Sequence, residues 1–330
     1  MGGVSRQTAA ATFPPHRFYC LLDELPLHLI PQSARGLLQL EKSASDLYLN
    51  PQCMVCPAEE APEPLLASRD LLSGFALHGT IAWVPESGGG SLLPFWVGPE
   101  YEDVLRGLRP EEPVPASVAP RVRAILSAAN ILVDAAGLAG SRKRDREKMI
   151  TSAALFHKKG YAPLRNLLHP FHVAALRRYY RHQIRSGGIE LGDRQSARRY
   201  VAHNEPVARF FHHQIAPLLS AVAGEPLKPS YVYFASYLSG AELKKHTDRE
   251  QCEFSLTFCL DFSPEPALAT PWPISLDTST GTVTVYQALG DGLAYRGTRL
   301  PHYRAPLAEG HTSTSIFFHY VRQDFTGSLL

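Results

Sequence analysis

The stretch KKHTDREQ, Lys244–Gln251, places a histidine and an aspartate two residues apart, as His246 and Asp248. In an extended segment, residues i and i+2 point to the same side of the chain. The imidazole and the carboxylate could therefore bind one ion together, although the same letters also suit an ordinary solvated turn. The choice depends on whether a third ligand lies on a neighbouring strand.

His302 is the candidate for that third ligand. It ends the segment GDGLAYRGTRLPH, residues 290–302, in which a short strand and a glycine turn lead toward the last strand of the chain. Two histidines and one carboxylate hold Fe(II) on one face and leave the other face open for reactants. The sequence therefore predicts a metal and catalytic site made of His246, Asp248 and His302.

The sequence around these residues predicts a β-rich fold. From Ser230 onward, β-branched and aromatic residues alternate in short runs that Gly, Pro, Asp and Ser interrupt. Strands are predicted at residues 231–238, 254–262, 281–289, 292–297 and 312–321. Two stretches with apolar residues at helical spacing, 171–188 and 205–224, precede them. We expect an α+β fold, with a β-sandwich or a barrel of the jelly-roll, cupin-like type braced by helices.

The first part of the chain predicts a separate α+β region. Strands at 79–85 and 92–98 are followed by helices at 100–108 and 118–133, an order that suits a winged-helix-like module. The charged run 139–149 has no apolar face and indicates a solvated helix start or an interdomain linker. We therefore predict an N-terminal extension at 1–145, of unassigned role, and the β-rich domain at 146–330.

Bulk composition excludes some partners. The net charge of +2 gives no general electrostatic attraction to nucleic acid or to an anionic membrane. No run of apolar residues is long enough to span a bilayer. The five cysteines are few and odd in number, which argues against a disulfide framework and favours the cytoplasm.

The segments SYLSGAELKKHTDRE (236–250) and GDGLAYRGTRLPH (290–302), together with the closing aromatic strand, resemble the Fe(II)- and 2-oxoglutarate-dependent oxygenases, within the prolyl-4-hydroxylase-like group. The resemblance covers about residues 165–325. It implies a double-stranded β-helix with Fe(II) at its open end, and 2-oxoglutarate and O2 as co-substrates. It also implies hydroxylation of an unactivated C–H, in an amino-acid, peptide or carrier-bound substrate. Halogenating relatives lack the carboxylate that Asp248 retains.

One position departs from the family pattern. The family places Arg or Lys near the start of the last strand, where it binds the far carboxylate of 2-oxoglutarate, and this chain has His311 there, with Ser313 two residues later. Protonated His311 could bind the carboxylate, or a cation elsewhere could, such as Arg304, Arg296 or a lysine of the KK pair. A third alternative is that 2-oxoglutarate is not used. Tyr237 is a candidate co-substrate contact, with core packing as its alternative.

Two other functions stay open from the sequence. The barrel could be a non-catalytic binding module, which the missing arginine favours and the intact triad disfavours. It could also be a metal dioxygenase that uses no keto acid. Nucleic-acid repair is disfavoured because it needs a basic groove and two arginines at the last strand. His319, near the end of that strand, is expected to be a histidine at the barrel rim.

Overall fold

The computed structural model describes residues 13–36, 38, 46–85 and 91–329, with backbone only at 135–138 and 141. The α-helices of these residues are α1 (Gln32–Arg35), α2 (Pro99–Gly107), α3 (Pro120–Ala128), α4 (Ala135–Lys159), α5 (Pro170–Arg185) and α6 (Pro206–Ala223). Short 3-10 helices are Leu27–Leu29, Glu63–Leu72 and Glu250–Cys252. No helix in these ranges is both long and apolar enough to cross a membrane.

The described residues contain sixteen strands, and ten of these lie in the second half of the chain. The first eight are β1 (Tyr48–Leu49), β2 (Met54–Pro57), β3 (Thr80–Pro85), β4 (Leu92–Val97), β5 (Leu132–Val133), β6 (Tyr161–Leu164), β7 (Glu190–Leu191) and β8 (Arg199–His203). The others are β9 (Leu227–Tyr237), β10 (Leu243–His246), β11 (Phe254–Ser263), β12 (Ile274–Thr278), β13 (Gly281–Val285), β14 (Gly292–Tyr295), β15 (His302–Arg304) and β16 (Thr312–Arg322).

Two antiparallel sheets dominate the β-rich part. The larger sheet has the order β6-β14-β11-β16-β9-β8-β7, and the smaller sheet has the order β10-β15-β12-β13. Every ladder in both sheets is antiparallel. The predicted α+β class, with antiparallel strands and covering helices, is confirmed.

The central strands of the larger sheet are buried on both faces, and successive residues along each strand alternate between the two faces. One face packs against α5, α6 and the N-terminal region in a single apolar core; from the central strands it carries Val232, Phe234, Phe254, Leu256, Phe258, Leu260, Ile316, Phe318 and Tyr320. The opposite face carries Ala235, Tyr237, Cys259 and Phe317, which cluster with Trp272. Successive residues of a strand point to opposite faces, so each strand supplies both environments.

The smaller sheet covers this second face. Ile274 and Leu276 of β12 form one buried cluster with Leu293 and Tyr295 of β14. These pairs are spaced by two residues on strands of different sheets, so the two sheets face each other with apolar side chains between them. The candidate ligands lie at one end of the space between the two sheets.

Most predicted elements are confirmed, with differences at their ends. Strands or helices are observed within or across each predicted stretch. The helix predicted at 118–133 instead ends at Ala128, because Asn130 takes a left-handed conformation with φ of 56° and strand β5 follows. Strands β8, β12 and β15 were not predicted; each has five residues or fewer, too short for a clear alternating pattern.

The charged run 139–149 lies inside the 25-residue helix α4. The predicted domain boundary at 145/146 therefore falls within a helix, and the division into two domains stays a prediction. Buried residues between Phe18 and Leu132 share the core described above with residues of α5, α6 and the larger sheet. The winged-helix-like order also stays a prediction.

A buried ion-pair group joins the N-terminal region to the larger sheet. Arg177 of α5 is 1% exposed; it donates to Asp261 at 2.9 Å, to Glu265 at 2.7 Å and to the carbonyl oxygen of Leu29. We expect Arg177→Ala to lower the free energy of unfolding by about 3–5 kcal/mol, because it leaves buried carboxylate charge uncompensated. Chemical denaturation would measure this loss.

The matched control is Arg106→Ala, which removes an arginine whose side chain is 67% exposed and paired with Glu102 on the surface of α2. We expect it to change stability by less than about 1 kcal/mol. Equal effects of the two substitutions would contradict a special role for the Arg177 group.

Candidate metal centre

The three predicted ligands converge at one end of the space between the two sheets. His246 ends β10 and His302 begins β15, and the two residues are register partners in the smaller sheet. The Nε2 atoms of His246 and His302 lie 3.7 Å and 3.5 Å from Oδ1 of Asp248. One ligand atom from each residue falls within 4.8 Å of the others. Two imidazole nitrogens and one carboxylate oxygen form a donor set that fits Fe(II).

Backbone carbonyls orient both imidazoles. Nδ1 of His246 donates to the carbonyl oxygen of Lys244 at 2.7 Å, and Nδ1 of His302 donates to that of Leu300 at 3.0 Å. With a proton on Nδ1, the Nε2 atom of each ring faces Asp248, and Nε2 is the atom that would bind a metal. A hydrogen bond at the far ring nitrogen is the usual support of a metal-binding histidine.

The carboxylate of Asp248 is held from both sides. The backbone N–H of Asp248 donates to the carbonyl oxygen of Gly297 at 2.9 Å. The Ser255 hydroxyl donates to the carboxylate oxygen Oδ2 of Asp248 at 2.6 Å. Burial raises the pKa of Asp248, but hydrogen bonds from His246 and His302 lower it more, so the pKa lies well below its ordinary value. Asp248 is therefore ionised, as a metal ligand must be.

Gly297 makes room for this arrangement. A Cβ atom at position 297 would collide with Oδ2 of Asp248, the carbonyl oxygen of Cys252 and the hydroxyl of Ser255. Two of these atoms are the carboxylate oxygen of Asp248 and the Ser255 hydroxyl that donates to it. The third, the carbonyl oxygen of Cys252, belongs to the backbone and can shift only if the chain shifts. The glycine of the AYRG segment is thus required by close packing behind Asp248.

We expect Gly297→Ala to weaken divalent metal binding by at least about tenfold, because Asp248 must shift, and outer support of a ligand is worth about 10–100-fold in affinity. Isothermal titration with Mn(II) would measure the affinity. The control is Gly107→Ala, where an added Cβ meets nothing within 4 Å. Unchanged affinity in Gly297→Ala would contradict the packing argument.

A buried cation lies on the same strand as His302. Arg304 is 6% exposed, its guanidinium donates to the carbonyl oxygen of Trp272 and to Gln287, and it lies 4.8 Å from the Trp272 ring. Its Nε has no hydrogen-bond partner, and no carboxylate of the described residues pairs with it. Burial lowers the pKa of Arg304, but an arginine stays charged at neutral pH.

The other predicted co-substrate residues lie in, or next to, the buried cluster that contains Trp272. Tyr237 is buried with its ring 5.1 Å from that of Trp272, and Ser313 is its register partner on β16. His311 lies at the edge of the same cluster, 5.5 Å from the ring of Phe262, with Nδ1 donating to the carbonyl oxygen of Glu309. Of the predicted cations, Arg304 is thus buried without a carboxylate partner among the described residues, whereas His311 is more exposed.

Arg199 is a second buried cation near the centre that the sequence did not point to, because β8 was not predicted. It donates to Asp193 at 2.6 Å and lies over the rings of Tyr233 and Tyr237 at 5.5 Å and 5.8 Å. Its charge is balanced by Asp193, whose pKa is about 2; burial raises it, but hydrogen bonds from Arg199 and others lower it more. Arg304, by contrast, has no such counter-ion.

His319 lies in the interior behind Asp248. It is 7% exposed, and burial lowers its pKa to about 4. Its Nδ1 lies 3.0 Å from the hydroxyl of Ser255, and ligand-type atoms of Asp248, Cys252 and His319 fall within 4.8 Å of one another. The expectation that His319 lies at the barrel rim is therefore wrong. The side chain of His319 points inward from β16 and lies beside Ser255, which supports the carboxylate of Asp248.

No protein-family model and no curated protein matches this chain. Solved structures are similar to part of it. The non-heme alpha-ketoglutarate-dependent epimerase SnoN from nogalamycin biosynthesis is 16% identical, over 54% of this chain and 82% of SnoN, with a TM-score of 0.45. A prolyl-4-hydroxylase from Pseudomonas putida is 16% identical, over 53% of this chain and 99% of that chain, with a TM-score of 0.44.

HygX from Streptomyces hygroscopicus, solved with nickel, 2-oxoglutarate and hygromycin B, is 13% identical, over 53% of this chain and 88% of HygX, with a TM-score of 0.43. Each of these three structures matches only about half of this chain, at 13–16% identity and with a TM-score below 0.5.

Proposed function

We propose that this protein is an Fe(II)- and 2-oxoglutarate-dependent oxygenase whose two facing sheets form a double-stranded β-helix. The observation that carries the proposal is the convergence of His246, Asp248 and His302, with both Nε2 atoms within 3.7 Å of one carboxylate oxygen. His246, Asp248 and His302 would hold the iron on one face. When bound, the iron would couple the reduction of O2 to the oxidative decarboxylation of 2-oxoglutarate and to oxidation of a substrate.

Arg304 is the residue that we assign to the far carboxylate of 2-oxoglutarate. A buried guanidinium with an unpartnered Nε and no neighbouring carboxylate is costly unless an anion completes the site. Residues 302 and 304 share a face of β15, so the arginine and the ligand His302 point into the same interior. A fork-shaped guanidinium binds a carboxylate more strongly than an imidazole does.

Tyr237 and Ser313 complete this carboxylate site in the proposal. Both are buried, and their register pairing places them on adjacent strands of the larger sheet. Each carries a hydroxyl that can donate to a carboxylate oxygen. His311 then has no direct part in binding, and the position where the family places its cation is filled from β15 instead.

The proposed reaction is hydroxylation of an unactivated C–H in an amino-acid, peptide or carrier-bound substrate. Its support is the retained carboxylate of Asp248, which occupies the position that a halide takes in halogenating relatives. The role of this chain would be to position the substrate C–H beside the open face of the metal and to exclude water from it.

Anaerobic titration of the metal-free protein with Fe(II) and then 2-oxoglutarate tests the proposal. A chelated keto acid gives a visible charge-transfer absorption band, which we expect to appear at one equivalent of 2-oxoglutarate. Iron binding without the band would instead favour a metal dioxygenase that uses no keto acid. Failure to bind iron at all would favour a non-catalytic binding module.

A further inference from the structure

The hydroxyl of Ser255 lies between two residues at the end of the barrel. It donates to Oδ2 of Asp248 at 2.6 Å, and Nδ1 of His319 lies 3.0 Å away on its other side. A hydroxyl has one proton and two lone pairs, so a serine that donates to Asp248 accepts from the Nδ1–H of His319. The three side chains form a short hydrogen-bonded chain that ends at the carboxylate.

The hydrogen-bonded series His319–Ser255–Asp248 is buried and held in place by its surroundings. Ser255 is 1% exposed, and the ring of His319 packs 4.7 Å from that of Tyr231. The backbone carbonyl oxygen of His319 accepts from Nε2 of His212 at 2.7 Å and from the hydroxyl of Ser230 at 2.9 Å. His319 therefore has a fixed backbone and a fixed ring, and it can hold the serine hydroxyl in one orientation.

The two oxygens of Asp248 have different partners. Oδ2 accepts from Ser255, whereas Oδ1 faces Nε2 of His246 and of His302. A carboxylate with one oxygen engaged this way offers only the other to a metal. Bidentate binding would use the second oxygen and close a coordination position that the co-substrates need.

We propose that Ser255 and His319 are positioning residues that keep Asp248 a one-oxygen metal ligand. The inference rests on the proposed function, since it takes His246, Asp248 and His302 as the metal ligands. The inference also explains why ligand-type atoms of Asp248, Cys252 and His319 lie close together. Ser255 lies between the carboxylate and the imidazole, and the Cys252 thiol pairs with the hydroxyl of Tyr231 at 3.1 Å.

The test compares Ser255→Ala with Ser255→Thr, which keeps the hydroxyl, by titration with Co(II). Co(II) reports both affinity and, through its visible absorption, the number of ligand atoms. We expect Ser255→Ala to bind Co(II) about 10–100-fold more weakly, in the range for lost support of a ligand, and to change the absorption spectrum. Ser255→Thr should restore the wild-type spectrum.

The matched control is Ser315→Ala. Ser315 is also 1% exposed, and it lies on the neighbouring strand β16, opposite Cys259. We expect its Co(II) affinity and spectrum to equal those of the wild type. A general loss of packing would lower affinity in Ser315→Ala as well, and that outcome would overturn the positioning role.

A second pair of variants covers a failure of Ser255→Ala to fold. His319→Asn keeps an N–H near the position of Nδ1, whereas His319→Leu removes it, and we expect only His319→Leu to alter the Co(II) spectrum. Wild-type protein that binds Co(II), with unchanged affinity and spectrum in Ser255→Ala and His319→Leu, would overturn this inference alone. Wild-type protein that binds no Co(II) would overturn the proposed function.

Discussion

Asp248→Ala is expected to reduce Fe(II) affinity by at least about 100-fold and to abolish 2-oxoglutarate turnover, because it removes the single anionic ligand. The two imidazoles would remain, held by the carbonyl oxygens of Lys244 and Leu300. Two neutral ligands supply neither the charge nor the third coordination position that retains the ion. Equilibrium dialysis with Fe(II) under anaerobic conditions measures the affinity, and succinate formation measures turnover.

The control for this substitution is Asp277→Ala. Asp277 lies on β12 of the same small sheet and pairs at 2.7 Å with Lys245, the residue directly before His246. The Asp277→Ala substitution removes one negative charge near His246 but leaves the three proposed metal ligands in place. We expect Fe(II) affinity to stay within about threefold of wild type. Equal losses in both variants would indicate a general electrostatic effect and reject Asp248 as a ligand.

Arg304→Met is expected to weaken 2-oxoglutarate binding on the order of 100-fold or more while Fe(II) affinity stays unchanged. Truncating one partner of a buried charge pair costs about 2–5 kcal/mol, and about 1.4 kcal/mol corresponds to a factor of ten. Methionine fills a similar volume, so the loss reports charge and hydrogen bonding more than packing. The charge-transfer band, titrated with 2-oxoglutarate at saturating Fe(II), measures the affinity.

His311→Ala is the matched variant, since it tests the alternative cation at the position that the family pattern selects. We expect a change of less than about threefold in 2-oxoglutarate affinity, because His311 is more exposed than Arg304 and its Nδ1 is already bonded to Glu309. The reverse result, a large loss in His311→Ala and a small one in Arg304→Met, would move the carboxylate site to the last strand.

The placement of Arg304 also suggests why the chain tolerates a histidine at position 311. In the proposal, one buried cation per co-substrate is enough, and a second arginine in the same interior would add the desolvation cost of another charge. Arg199 is already present nearby, and it is neutralised by Asp193.

Sequence alone identified the local features of this protein. Alternation of apolar residues predicted the main strands β9, β11 and β16, because each is long enough to show the period of two. Spacing within the H-x-D motif placed His246 and Asp248 on one side of an extended segment, since that geometry depends on neighbouring residues only. The glycine turn before His302 likewise follows from short-range preferences.

Only the tertiary structure determined which distant residues support the centre. Ser255, Gly297 and His319 lie on separate segments, and their contacts with Asp248 depend on strand register and on how two sheets face each other. Likewise, nothing in the local sequence distinguishes Arg304, buried without a counter-ion, from the other arginines. Local preferences act over a few residues, whereas burial and pairing of charge are properties of the assembled fold, so the sequence predicted the ligands and the structure supplied their surroundings.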